Sequence, residues 1–389
     1  MNTPSVLPSG RGHEPSSAET VTIGWIPQKP VDHGRVRELL AESSRCNQYA
    51  NGGPCVLRLE AVIASVLDIN PDKKVVAVCN GAAALHALAA ALELREGRRL
   101  RFATQSYTFP SAAQGPLRDA AIVDVASDDL GPELEVVPGD CDVLVVTNVL
   151  GHGSDVRRYE RWCTAAAPPA RRYLLFDNAA TAMTEHDGRN LLNYGDGSIV
   201  SFHHTKPLGF GEGGAVVVPN ELEPYVRRAI NFGYDVPRAD VLWQGAGSNY
   251  KMSDVAAAYI IQHLERFAQK TREHHRRLHA RFLHLLETLS PTVTTLRDYS
   301  DRGTAVVSCL PVLFDREVSV GEFEHDGIVV RKYYKPLVQT GRAWDLYRRI
   351  ICFPCHIDMR EEDVCRIVRI IRRVAACTSE PSSPVSTNL

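Results

Sequence analysis

The chain has 389 residues, with 44 Lys and Arg against 46 Asp and Glu, a formal net charge of -2, and 44% hydrophobic residues. That balance argues against a nucleic-acid footprint or an acidic tail, and the apolar share over this length is ample for a large core. No stretch approaches the roughly 18 consecutive apolar residues of a membrane span, residues 1–20 have no apolar targeting core, and the ten cysteines, scattered and without a secretory signal, imply reduced thiols in a cytoplasmic compartment.

Residues 1–20, "MNTPSVLPSGRGHEPSSAET", offer almost nothing to bury and are expected to form a disordered tail. From about residue 55 to 245 helical patterns alternate with apolar runs. "CVLRLEAVIASVL" has helical period, "KVVAVC" is a short apolar run, and "GAAALHALAAALEL" is an Ala/Leu helix. "AAIVDV", "DVLVVTNV", "YLLF", "SIVSF" and "GAVVV" follow as β-rich runs. Buried strands alternating with helices predict an α/β sheet covered on both faces. Site residues should then gather at the strand ends.

Within this stretch, "CNGAAALHAL" passes from a strand through Asn80-Gly81 into a helix. Backbone N–H groups at that helix start could receive a phosphate; close packing of small residues on the sheet is the alternative. "SYTFPSA" places Tyr107 in a loop after "LRFAT", where its ring could stack on a flat cofactor or fill core. "YLLFDNAAT" puts Asp177 at the end of an apolar strand, where a buried carboxylate is costly unless something positive meets it. A protonated pyridine nitrogen would be such a partner, and a backbone-bonded turn is the alternative. "SFHHTKPLGFGEGG" then sets Lys206 between a strand and a glycine-dense turn. An amine that forms an imine with an aldehyde cofactor needs such a rigid perch beside phosphate- and ring-holding groups.

After residue 245 the texture changes. "SDVAAAYIIQHLERFAQKTREHHRRLHARFLHLLETL" starts at a Ser253 cap and keeps helical spacing for over thirty residues, a length that commonly links two domains. "TAVVSCLPVLF", "GIVVRKYY" and "EEDVCRIVRIIRRVAAC" describe a small α+β unit. "CFPCH", Cys352 to His356, has the spacing of haem attachment or half a zinc site, but no second CxxC completes four ligands, so it reads as a strand followed by a Pro-turn, and no metal is expected. The domains expected are a large one over 21–250 and a linking helix with a small domain over 251–376. The Ser/Pro/Thr-rich end, 377–389, is expected to be a second disordered tail.

The ordered set "NGAAALHAL", "QSYTFPSA", "FDNAA", "SFHHTKPLGFGEGG", "GSNYKMSDVAAA" and "GIVVRKYYKPL" resembles the DegT/DnrJ/EryC1/StrS family of pyridoxal-phosphate sugar aminotransferases, over roughly residues 25 to 375. The resemblance implies the aspartate-aminotransferase fold: a large domain with a mostly parallel central sheet, a smaller α+β C-terminal domain, and a homodimer with shared active sites. Lys206 matches the family's Schiff-base lysine, Asp177 the pyridine-nitrogen partner, Tyr107 the stacking aromatic and Ser201 a phosphate-binding hydroxyl. Asn249 resembles the asparagine that reaches the phosphate from the other subunit. "NQYANGGP" and "RKYYKP" resemble the substrate loops, with Tyr49, Tyr333 and Lys335 as candidate contacts beside His203 of the lysine motif.

Two positions depart from the family. Gly81-Ala82 stands where Gly-Thr or Gly-Ser is common, and Ala180 stands where Gln or His is common three positions after the aspartate. Each loses a hydrogen bond of about 1 kcal/mol to the cofactor, several-fold to tens-fold in affinity; Thr181 could replace the donor lost at Ala180. The activity implied is ping-pong transfer of an amino group from glutamate or glutamine to a nucleotide-activated keto-deoxysugar. Lys206 would move the proton and Asp177 hold the ring nitrogen protonated. Two alternatives stand beside it: a sugar dehydratase of the same fold, although such enzymes typically carry histidine at the lysine position, and a cofactor-binding regulatory protein without turnover.

Overall fold

The computed structural model describes residues 22–165, 171–234, 246–289 and 292–376. The expected tails, 1–20 and 377–389, lie outside the described residues. In chain order the strands of the first half are β1 (Lys73–Val78), β2 (Phe102–Gln105), β3 (Ala121–Val123), β4 (Val143–Thr147) and β5 (Tyr173–Asp177). The pair β6 (Glu185–His186) and β7 (Arg189–Asn190) forms a small hairpin, and β8 (Gly197–Ser201) and β9 (Gly214–Pro219) follow. The helices through this part are α1 (His33–Cys46), α2 (Pro54–Val66), α3 (Gly81–Glu96), α4 (Val156–Thr164) and α5 (Glu223–Ala229).

The main sheet has seven strands in the order β1-β9-β8-β5-β4-β2-β3. β9 alone runs against the rest, pairing antiparallel with β1 and β8. Period-two alternation feeds two apolar layers. Val76 and Val78 of β1 join α3 on one face, whereas Val75 and Ala77 join α1 and α2 on the other. α3 is apolar nearly all round because it is buried nearly all round. Its small residues let it lie close to the sheet: a Cβ on Gly197 of β8 would stand 2.7 Å from Leu88.

The long helix α6 (Asp254–Leu286) begins at its Ser253 cap, whose side chain accepts from the Ala256 N–H. Its first half, through Ala257, Ile260 and Leu264, packs on the main sheet; its second half, through Leu278, Phe282 and Leu286, packs on a second core. That core holds the three-stranded sheet β10 (Val293–Thr294), β11 (Cys309–Phe314) and β12 (Ile350–Pro354), with α8 (Glu361–Ala376) against it. α7 (Gly341–Arg349) precedes β12. Cys352 lies on β12 and Cys355 just beyond it, both buried. No group of three or more His, Cys, Asp or Glu side chains is arranged to hold a metal among the described residues.

Ile23, near the start of the described residues, packs apart from the main sheet. Ile23 sits in the second core and bridges Ile328, because its backbone completes an edge there: its N–H donates to Gly327 at 2.9 Å and its carbonyl accepts from Val329 at 3.0 Å.

Candidate active site

A cavity of about 540 Å³ opens at the carboxyl ends of β1, β4, β5 and β8, closed on the far side by residues 308–309 and 331–334. α3 starts in this cavity. Asn80 caps it, its Oδ1 accepting from the Ala83 N–H at 2.8 Å. The N–H groups of Gly81 and Ala82, in the first turn, have no intrahelical acceptor and sit beside the Ser201 hydroxyl at the end of β8. A Cβ on Gly81 would stand 2.8 Å from that of Ser201, so glycine is what lets the two elements meet. Together they form a ready anion site.

Asp177 ends β5 and is 3% exposed. Its Oδ1 accepts from the Ala179 N–H at 3.0 Å, and burial pushes its carboxyl above the usual range while Lys206 pulls it back. Lys206 lies in the β8–β9 turn, its N–H bonded to His203 at 2.8 Å and its carbonyl accepting from Gly209 at 2.9 Å. Gly209 is required: a Cβ there would fall 1.8 Å from the His203 carbonyl. Burial lowers the Lys206 amine, and the Asp177 charge opposes that less strongly. A lowered amine is neutral, hence nucleophilic, at lower pH. The apo-protein is therefore expected to capture an aldehyde at Lys206 with a pH midpoint below that of a free lysine side chain measured alongside; a midpoint at or above it would show that Asp177 outweighs burial.

His203 also walls the cavity. Its Nδ1 accepts from the Thr205 N–H at 3.3 Å and lies 2.8 Å from Thr205 Oγ1, which leaves the proton on Nε2, 3.5 Å from Glu212. Tyr333 lines the opposite wall, its hydroxyl accepting from Arg331 at 3.0 Å, and Arg331 lies 5.2 Å over the Trp25 ring.

Four residues expected at the site are not in this cavity. Tyr107 is fully buried beneath it, its hydroxyl donating to the Tyr333 carbonyl, so it cannot flank a ligand. The aromatic on that loop that does line the cavity is Phe109, 54% exposed. Tyr49 is exposed at the start of α6, where the Asp254 N–H donates to its carbonyl at 2.9 Å. Asn249 is exposed in a bridge to Asn231, and Lys335 is exposed beyond the cavity wall. Ala82 and Ala180 do line the cavity, but Thr181 does not replace a donor there: its hydroxyl is buried and donates to Asn178 at 2.7 Å. Arg331 and Tyr334 line the wall from within the "RKYYKP" loop, where only Tyr333 and Lys335 had been singled out, and Trp25 and Cys309 are wall residues that sequence reasoning missed. Trp25 comes from a remote segment that no spacing connects.

The family model of the DegT/DnrJ/EryC1/StrS aminotransferases matches residues 31–372. The chain belongs to this family. Among its curated relatives, the dTDP-4-amino-4,6-dideoxy-D-glucose transaminase of Shigella dysenteriae is 24% identical over 84% of this chain and 92% of its own length. Among solved structures, DesI in the presence of its TDP-sugar product superposes with a TM-score of 0.76 at 24% identity, over 93% of this chain and 94% of that one. The E. coli GDP-4-keto-6-deoxy-D-mannose-3-dehydratase reaches 0.75 at 13% identity, over 90% of this chain and 100% of its own. The fold of this aminotransferase family member is thus shared with a dehydratase, and chemistry must be argued from side chains.

Proposed function

We propose that this family member is a pyridoxal-phosphate-dependent aminotransferase that moves an amino group from glutamate or glutamine to a nucleotide-activated keto-deoxysugar in amino-sugar biosynthesis. The observation that carries this reading is the meeting, in one cavity, of the Lys206 amine, the buried Asp177 carboxylate and the α3 start beside Ser201. That set fits the cofactor. The α3 amides of Gly81 and Ala82 and the Ser201 hydroxyl suit a phosphate, Phe109 offers a ring face, and Asp177 is an anion whose burial calls for a cationic partner. When bound, the cofactor supplies an aldehyde for amine exchange and a ring that accepts electrons from the carbon losing its proton.

Asp177 would hold the positive charge of the cofactor's ring nitrogen. Lys206 Nζ takes the proton from the donor's α-carbon and later returns one to the sugar carbon that gains the amine. The His203 Nε2–H and Glu212 would be available to sugar hydroxyls, and the Arg331 guanidinium over Trp25, next to Tyr333, suits a diphosphate and base. We place Asn249 and Tyr49, both exposed and outside this chain's cavity, at the phosphate and substrate of a second copy, which makes the enzyme a homodimer with shared sites. Lys335 belongs to the same substrate loop in this reading, and the reduced-thiol composition supports a cytoplasmic enzyme. No helix among the described residues is long and apolar enough to cross a membrane. The large and small domains meet along α6.

The test is a panel of nucleotide keto-sugars incubated with glutamate and the loaded enzyme, followed by mass spectrometry. An amino-sugar with matching 2-oxoglutarate is the expected product. Loss of a sugar hydroxyl without amine gain would establish the dehydratase instead, and failure of both glutamate and glutamine to convert the bound cofactor to its amine form would leave a binding protein.

A further inference from the structure

Lys29, from a segment far from the lysine motif in sequence, reaches the turn that carries Lys206. Its Nζ donates to the backbone carbonyls of His204 at 2.6 Å, Lys206 at 3.0 Å and Gly209. An ammonium has three N–H donors, and here all three go to carbonyls within one six-residue turn. The amine is half-buried, and burial alone lowers it, to about 8, with no carboxylate contributing. Its charge acts on His204, His263 and His275, each lowered chiefly by burial and so inclined to stay neutral. A cation held out of water by carbonyls alone is costly to place, and what it obtains in return is the shape of that turn.

The segment presenting Lys29 is itself fastened. Ile23 bridges Ile328, the Gly24 carbonyl lies 3.1 Å from His356 Nε2, and the Gln28 N–H donates to Asp358 at 2.8 Å. Trp25, four residues before Lys29, walls the cavity beneath Arg331. One short strap therefore ties the substrate-side wall to the turn of the reactive amine.

We propose that Lys29 is a positioning residue for the transamination, its ammonium clamping the 204–209 turn so that the Lys206 amine is aimed at the reacting carbon. This rests on Lys206 being the reactive amine. The clamp acts on the backbone before any ligand arrives, so it is tested in apo-protein as well as by turnover. Lys29→Met keeps length and removes every donor. Deuterium exchange of the apo-protein should rise about tenfold in peptides covering 202–213 and stay unchanged in those of β4 and β5. Covalent capture of pyridoxal phosphate, followed by absorbance, and kcat should both fall about tenfold to hundredfold, with the KM for glutamate within about threefold, the scale on which a misplacement of about 1 Å acts.

Unchanged exchange in that turn, or a rise spread evenly over the molecule with capture per folded chain unaltered, overturns the proposal. Should the Met variant fail to accumulate, Lys29→Gln is read by the same measures and the same two outcomes. The exchange result does not depend on which sugar is the substrate. A chain in which Lys206→Ala kept full turnover would refute the functional reading, whereas a silent Lys29→Met refutes the clamp alone.

Discussion

Lys206→Ala is expected to abolish transamination while leaving the protein folded. In the proposed mechanism the amine both exchanges with the cofactor aldehyde and carries the proton, and proton transfer by a positioned side chain alone contributes about 100- to 10,000-fold. Losing the covalent attachment adds to that, so residual turnover should be near background. The fold should survive, because the turn is fixed through the backbone: the Lys206 N–H to His203, the Gly209 N–H to Lys206, and the Phe210 N–H to Phe202 at 2.9 Å remain. Single-turnover kinetics with glutamate, paired with circular dichroism, measure both halves. Full turnover with ordinary donors would remove Lys206 from the chemistry.

Asp177→Asn is expected to keep cofactor binding and slow proton transfer by about 100- to several-thousand-fold. The substitution preserves shape and the Ala179 contact but removes the anion proposed to pair with the ring nitrogen. Breaking a buried charge pair by removing one partner costs about 3–5 kcal/mol, and each 1.36 kcal/mol on the barrier is tenfold in rate. A deuterium label on the donor's α-carbon should become more strongly rate-limiting in the variant. Unchanged rates would make Asp177 a turn residue held by its backbone bond, the alternative that its place in "FDNAA" always left open.

Both residues were visible in sequence through their place beside apolar strands: Asp177 ends β5, and Lys206 lies in the glycine-dense turn between β8 and β9. Gly81 and Ala82 were legible as a helix start that the alternating pattern brings to the strand ends, whereas Ser201 came only from the resemblance to the family. The aromatic was not. "SYTFP" offers two rings two positions apart, and composition cannot say which one faces the cavity; the structure buries Tyr107 and exposes Phe109 because the former's hydroxyl finds the Tyr333 carbonyl below. Lys29 and Trp25 were invisible because they reach the site from a segment fastened by the Ile23–Ile328 bridge, a pairing with no local periodicity. The replacement suggested at Thr181 failed for a simpler cause, since a buried hydroxyl takes the nearest acceptor, here Asn178.

The single antiparallel strand in the main sheet has its own consequence. β8, the Lys206 turn and β9 form one hairpin, and that hairpin is inserted between β5 and β1 rather than hung on an edge. Both legs are buried along their length, so the reactive lysine is anchored at each end to strands that have neighbours on either side. Such central strands open only with the whole molecule. Heat or denaturant should accordingly take catalytic competence and global structure away in one transition, and an engineer wishing to loosen this site for larger sugars would do better to alter the 331–334 wall than the hairpin. Evolution has the same room to move: the wall can change substrate while the hairpin, stitched through the middle of the sheet, keeps the chemistry constant.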